Sequence, residues 1–161
     1  MTIAYLVAKW LHIVSSTVLF GMGAGIAFFF IRAHRTGDTT VIAAVSRDVV
    51  IADALFTATA VVTQPLTGLA MLWISGASFL QPWLVVSIAL YVLVGCFWLP
   101  VVRLQIRMRD MAKQAAATGT SLPDAYARCY KAWFALGWPA FLAVLVIFHL
   151  MVAKPAFPLP H

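Results

Sequence analysis

His12 and His149 are the residues of this 161-residue chain whose type and spacing point most directly to chemistry. Each imidazole lies just inside a long apolar stretch, three residues past Lys9 and five before Lys154. Ionisable groups at such positions in a membrane are costly, tend to face a bundle interior and default to a functional hypothesis. If the two stretches are the first and last helices of an up-and-down bundle, both rings lie at one end and at similar depth. Two neutral imidazoles from facing helices can hold haem iron axially, and bundle cores commonly carry such cofactors. Lys9 shares a helical face with His12, and Lys154 lies just past His149, so both are candidates to meet haem propionates. Gly68 and Met71 fall at about the same depth, the first leaving room for a flat ring and the second offering a thioether to pack on it or ligate. Ser15, Ser16 and Thr67 are candidates to orient a ligating histidine. The plainer alternative is that each histidine bonds a hydroxyl or carbonyl on a neighbouring helix, as polar groups in membrane bundles often do.

The elements that must position these residues follow from composition. Hydrophobic residues make up 63% of the chain and charged residues 10%, against about 25% charged in soluble domains. A bilayer core of about 30 Å takes roughly 20 apolar residues of helix. The expectation is therefore an all-α, polytopic membrane protein: an up-and-down four-helix transmembrane bundle forming one domain over 1–161. Its helices are expected at about 3–33, 40–75, 81–118 and 122–154, with an irregular Pro-rich tail over 155–161. The first segment has no basic start and is too long for a signal sequence, so it is expected to remain as a membrane helix.

The net charge of +6 does not indicate nucleic acid, because the basic residues sit at the ends of apolar stretches. Arg32, Arg35, Arg47, Arg103, Arg107, Arg109, Lys113, Arg128 and Lys131 fall in the two connections on one side, and only Lys9 and Lys154 on the other. Positive residues are retained on the cytoplasmic side, which predicts a bacterial inner-membrane protein with both termini periplasmic. Trp10, Trp73 and Trp83 near one boundary, and Trp98 and Trp133 near the other, fit two aromatic belts. Cys96 and Cys129 form no CxxC motif and read as packing residues.

Several local expectations follow. Gly37 and Gly119 should end helices, Asp38 with Thr39 and Thr40 should cap the second, Pro82 suits a first turn, and Ser121 with Asp124 resembles an N-cap with an acidic third position. Gly21, Gly23 and Gly25 should let another helix approach closely. The second helix carries a polar string of Asp53, Thr57, Thr59, Thr63, Gln64 and Thr67, with Pro65 expected to kink it and free backbone carbonyls. Asp53 is expected to pair with Arg103, His34 to be a solvated connection residue and His161 a tail residue. No Ser-His-Asp set, P-loop, HExxH or cysteine-rich metal motif is present, which argues against a hydrolase or nucleotide-driven pump.

The segments Leu6-Val7-Ala8-Lys9-Trp10-Leu11-His12-Ile13-Val14, Gln64-Pro65-Leu66-Thr67-Gly68, Trp98-Leu99-Pro100-Val101-Val102 and Leu150-Met151-Val152-Ala153-Lys154-Pro155 together resemble a family of small bacterial four-helix integral membrane proteins of unknown function. More distantly, the Leu-His of the first helix and the four-span plan are similar to HemJ-type protoporphyrinogen oxidases and CopD-like membrane domains. The HemJ resemblance implies haem b on a first-helix histidine, here His12. It also implies a lysine in the third helix, where 81–102 has none, so the likeness reaches haem binding and not porphyrinogen oxidation. The CopD resemblance would need a Met-rich or Cys-rich ligand set, which is absent. The expected function is a membrane b-type haem protein in electron transfer, or a haem-dependent oxidoreductase, with quinone or a periplasmic electron carrier as partner and homo-oligomers as a possible assembly. The alternatives are a small transporter or channel-like protein, and a cofactor-free accessory subunit.

Overall fold

The computed structural model describes residues 2–155; the tail beyond Pro155, including His161, lies outside the described residues. The chain is helical throughout, with α1 at Ile3–Thr36, α2 at Thr39–Ala52, α3 at Ala58–Ser75, α4 at Pro82–Thr118 and α5 at Asp124–Ala153. A single π turn, Asp53–Thr57, joins α2 to α3, so these three pieces form one continuous rod. The helices α1, α4 and α5 are each long and apolar enough to cross a membrane.

Local chemistry sets the ends. Gly37, Gly76 and Gly119 take left-handed backbone angles that cost a side-chain-bearing residue extra energy. The Asp38 carboxylate accepts from the Thr40 and Val41 N–H groups at 2.8 and 3.2 Å, capping α2 as its position predicts. Helix α1 continues three residues past its expected end, up to the glycine. Helix α5 begins at Asp124, later than expected, because Pro123 holds the preceding backbone extended and itself occupies the cap position with no side-chain hydrogen bond.

Packing is antiparallel between neighbouring rods, with α1 along α2 and α3, α2 along α4, and α4 along α5. The core sits toward the α1 C-terminal end, where Phe30, Met108 and Ala112 are completely enclosed among Ile26, Ile42, Val49, Tyr126 and Trp133. Phe30 meets Trp133 edge to face with ring centroids 5.0 Å apart. Outside this core the surface is apolar. Phe28, Phe29, Leu55, Leu66 and Leu142 are all exposed, far more exposed apolar surface than water tolerates and what lipid tails accept.

Three expectations change here. His34 is not a solvated connection residue: it lies in the last turn of α1, with its ring stacked 3.7 Å from the Tyr130 ring and 5.8 Å from that of Tyr126. Trp133 is 5% exposed, so it packs the core rather than a boundary belt. A Cβ placed on Gly21, Gly23 or Gly25 would meet nothing within 4 Å; these glycines open space instead of admitting a helix. The backbones of α1 and α5 stay apart over most of their length and meet mainly through aromatic rings such as Phe20 on Phe141 and Phe148.

Candidate functional site

The buried stripe of the α2–α3 rod explains how the site is presented. Ile42, Ser46, Val49, Asp53, Thr57, Ala60, Gln64 and Thr67 are buried, about one per turn, as a single inward face requires. The π turn lies in the middle of this stripe, and such turns occur frequently at functional sites. Thr59 and Thr63 leave the polar string, since each hydroxyl donates to its own helix at Leu55 O and Thr59 O. Asp53, Thr57, Gln64 and Thr67 remain as the inward polar groups.

His12 docks on the outer end of this stripe. Gln64 Nε2 donates to the His12 carbonyl at 2.9 Å, and His12 Nδ1 lies 2.9 Å from Thr67 Oγ1. Thr67 Oγ1 is also 2.7 Å from Thr63 O. A hydroxyl has one proton, and that short back-bond to the preceding turn takes it. Donation by the imidazole from Nδ1 to Thr67 fits this arrangement and would leave the Nε2 lone pair bare, the tautomer a ligating histidine needs. The imidazole packs against Gly68, where a Cβ would lie 3.4 Å from His12 Cε1, an ordinary van der Waals contact. Ser15 donates to the His12 carbonyl at 3.1 Å. Ser16 donates to Ile13 O at 2.7 Å, and of the three hydroxyls Thr67 is the one in contact with the imidazole.

The other predicted site residues are placed differently. The stacking of Phe20 on Phe148, Phe30 on Trp133 and His34 on Tyr130 sets α5 antiparallel beside α1, which brings His149 to the same end of the bundle as His12. Yet His149 is exposed, while His12 is half-buried and hydrogen-bonded. Lys9 is exposed one turn before His12. Lys154 lies over the Trp83 ring, its Nζ 5.5 Å from the centroid, a cation–π contact tying the end of α5 to the start of α4. Met71 is half-buried one turn beyond Thr67.

Pro65 frees a backbone carbonyl as expected, with a partner the sequence did not reveal. Lacking an N–H, it leaves Val61 O without its helical donor, and Tyr91 OH of α4 donates to that carbonyl at 2.6 Å. The freed carbonyl is thus satisfied across the helix pair.

Asp53 does not pair with Arg103. The carboxylate is 5% exposed and its Oδ1 accepts from Trp98 Nε1 at 3.4 Å, whereas Arg103 is exposed. Arg103 lies two residues before the buried Gln105, on another side of α4. Asp53, Thr57, Tyr91, Trp98 and Gln105 instead line a cavity of about 390 Å³ between α1, the α2–α3 rod, α4 and α5. Sequence reasoning missed this cavity, although the small residues Gly23, Gly95 and Gly137 on its walls were the signal for it. Among the described residues, no three histidine, cysteine or carboxylate side chains converge as a metal cluster.

No curated protein and no solved structure matches this chain. With apolar helices able to cross a bilayer and a family model matching residues 6–155, the chain belongs to the family described as predicted integral membrane protein DUF2269.

Proposed function

We propose that the chain is a four-span protein of the bacterial inner membrane that holds a b-type haem through His12 near the periplasmic end and serves in electron transfer or redox chemistry. The observation that carries this is the support given to one residue: Thr67 on the imidazole Nδ1, Gln64 on the carbonyl, and Gly68 packed against the ring. A neutral imidazole that donates from Nδ1 keeps its Nε2 lone pair free, and metal-ligating histidines characteristically have the other nitrogen held in this way. The contact at Gly68 is consistent with His12 as a ligand, since the ring is held by α3 before any ligand arrives.

His149 is the candidate for the second axial position, being at the same end of the bundle as His12, but α5 gives it no comparable support. Lys9, exposed beside His12, is the nearer candidate for a propionate, and Lys154 would have to leave the Trp83 face to act as another. Met71 and Gly68 bound the α3 side of the site. A haem bound here would supply one-electron chemistry at a potential tuned by its ligands and burial. The chain's own part is to fix the His12 tautomer and keep the ring within the apolar interior. The first-helix Leu11-His12 pair, which resembles that of HemJ-type proteins, supports the same reading. The excess of lysine and arginine in the connections before α2 and before α5 supports the orientation, with both termini periplasmic. A membrane quinone or a periplasmic carrier is the partner such a position would serve.

The test is the absorbance spectrum of protein purified from haem-replete cells, oxidised and then dithionite-reduced, with haem content measured as the pyridine complex. A Soret band, a reduced α band of b type and haem approaching one per chain are expected. A colourless protein from such cells overturns the proposal.

A further inference from the structure

The central cavity is separate from the His12 site, since its α1 wall begins at Leu19, about two turns further along the helix. From Tyr91 to Gln105 it extends along α4 for about 20 Å at 1.5 Å per residue. Its volume of about 390 Å³ lies within the range of small-molecule sites, roughly 300–1,000 Å³. Its walls are mainly apolar, with aromatic rings from Phe20, Tyr91, Trp98, Trp133, Trp138 and Phe141 among aliphatic and small residues.

The polar groups in this cavity are few and largely uncommitted. Asp53 is the one ionisable carboxylate lining it, and no lysine, arginine or histidine lines it. Its contact with Trp98 is long at 3.4 Å, a weak bond by ordinary geometry. Thr57 Oγ1 and Gln105 Oε1 are buried and have no hydrogen-bond partner among the described residues, and both residues line the cavity. Buried polar atoms without partners are rare and costly, but these two lie behind the cavity surface, closed to a water-sized probe. The group in the cavity that calls for a counter-charge is the Asp53 carboxylate, which no lysine, arginine or histidine of the lining faces. A carboxylate among aromatic rings is the chemistry that recognises an organic cation, through the ion pair and through the negative faces of the rings.

We infer that this cavity binds a lipophilic amine, its ammonium head at Asp53 and its apolar body along the apolar walls. The π turn places Asp53 and Thr57 on the same inward face for this purpose, and Gly23, where a Cβ would meet nothing within 4 Å, keeps the α1 wall open.

The test uses the full-length protein in lipid nanodiscs and three probes sharing one apolar body: 4-phenylbutylamine, 4-phenylbutanol and 4-phenylbutyrate. Quenching of tryptophan fluorescence is read against empty nanodiscs to subtract partitioning. Saturable binding of the amine at least about tenfold tighter than of the alcohol is expected, about 1.4 kcal/mol, with no saturable binding of the acid. Asp53→Asn should abolish that preference. Gly23→Leu, which fills the cavity from the other wall, should remove binding of both while preserving helical content. Equal binding of amine and alcohol, an amine preference that survives Asp53→Asn, or no saturable binding to the wild type overturns the inference.

Discussion

Purified His12→Ala protein is expected to carry less than about a tenth of the wild-type haem, with the Soret and reduced α bands lost together. Losing an axial ligand removes its bond to iron and leaves the neighbouring Thr67 hydroxyl without its imidazole partner. Because the imidazole is half-buried against Gly68 and Thr67, alanine leaves a gap of imidazole size. Added imidazole should enter it and restore much of the Soret band, a rescue that a merely structural histidine would not give. His149→Ala is expected to behave differently, since that residue is exposed and unsupported. It should retain the haem and change only the spin state of the iron. Full haem content in His12→Ala would remove His12 from the site.

Phe30→Ala should be the most destabilising single truncation in the bundle, at about 3 kcal/mol, the lower end for a buried aromatic reduced to alanine. Phe30 is completely enclosed and stacks edge to face on Trp133 and Tyr130. Helices in lipid associate through close packing rather than through escape from water, so a void where three helices meet removes the main attraction between them. Reversible unfolding by SDS titration, followed by circular dichroism, measures this. Phe29→Ala is the matched control: its ring is 62% exposed, and a change within about 0.5 kcal/mol is expected. Equal losses from both would place the core elsewhere.

The parts of this architecture that could be read from the chain are those that depend on one helix at a time. Charge placement and long apolar runs marked the helices, and Gly37 and Gly119 marked two ends because a left-handed turn favours glycine for a purely local reason. Asp38 was legible as a cap on the same grounds. Contacts that depend on the rotation of one helix against another were much less legible. Asp53 and Arg103 lie at compatible depths, yet Arg103 turns away and Trp98 takes the contact. The π turn at Asp53 has no local signature comparable to proline or glycine. Gly21, Gly23 and Gly25 have the spacing of a close helix crossing, but small residues equally permit a cavity, and which results depends on the large residues opposite. The Thr67 contact to His12 was among the expected ones because both residues were polar and level in depth. The donor direction needed the Thr63 carbonyl distance, and the exposure of His149 needed the orientation of α5.

The most direct test of this account is the tautomer of His12 in haem-free protein from haem-starved cells, read by ¹⁵N NMR with histidine labelled at both ring nitrogens and His12 assigned by its loss in His12→Gln. The account predicts a proton on Nδ1, donated to Thr67, and an unprotonated Nε2. A proton on Nε2 with Nδ1 accepting from Thr67 would contradict it, since the nitrogen offered to iron would already be occupied.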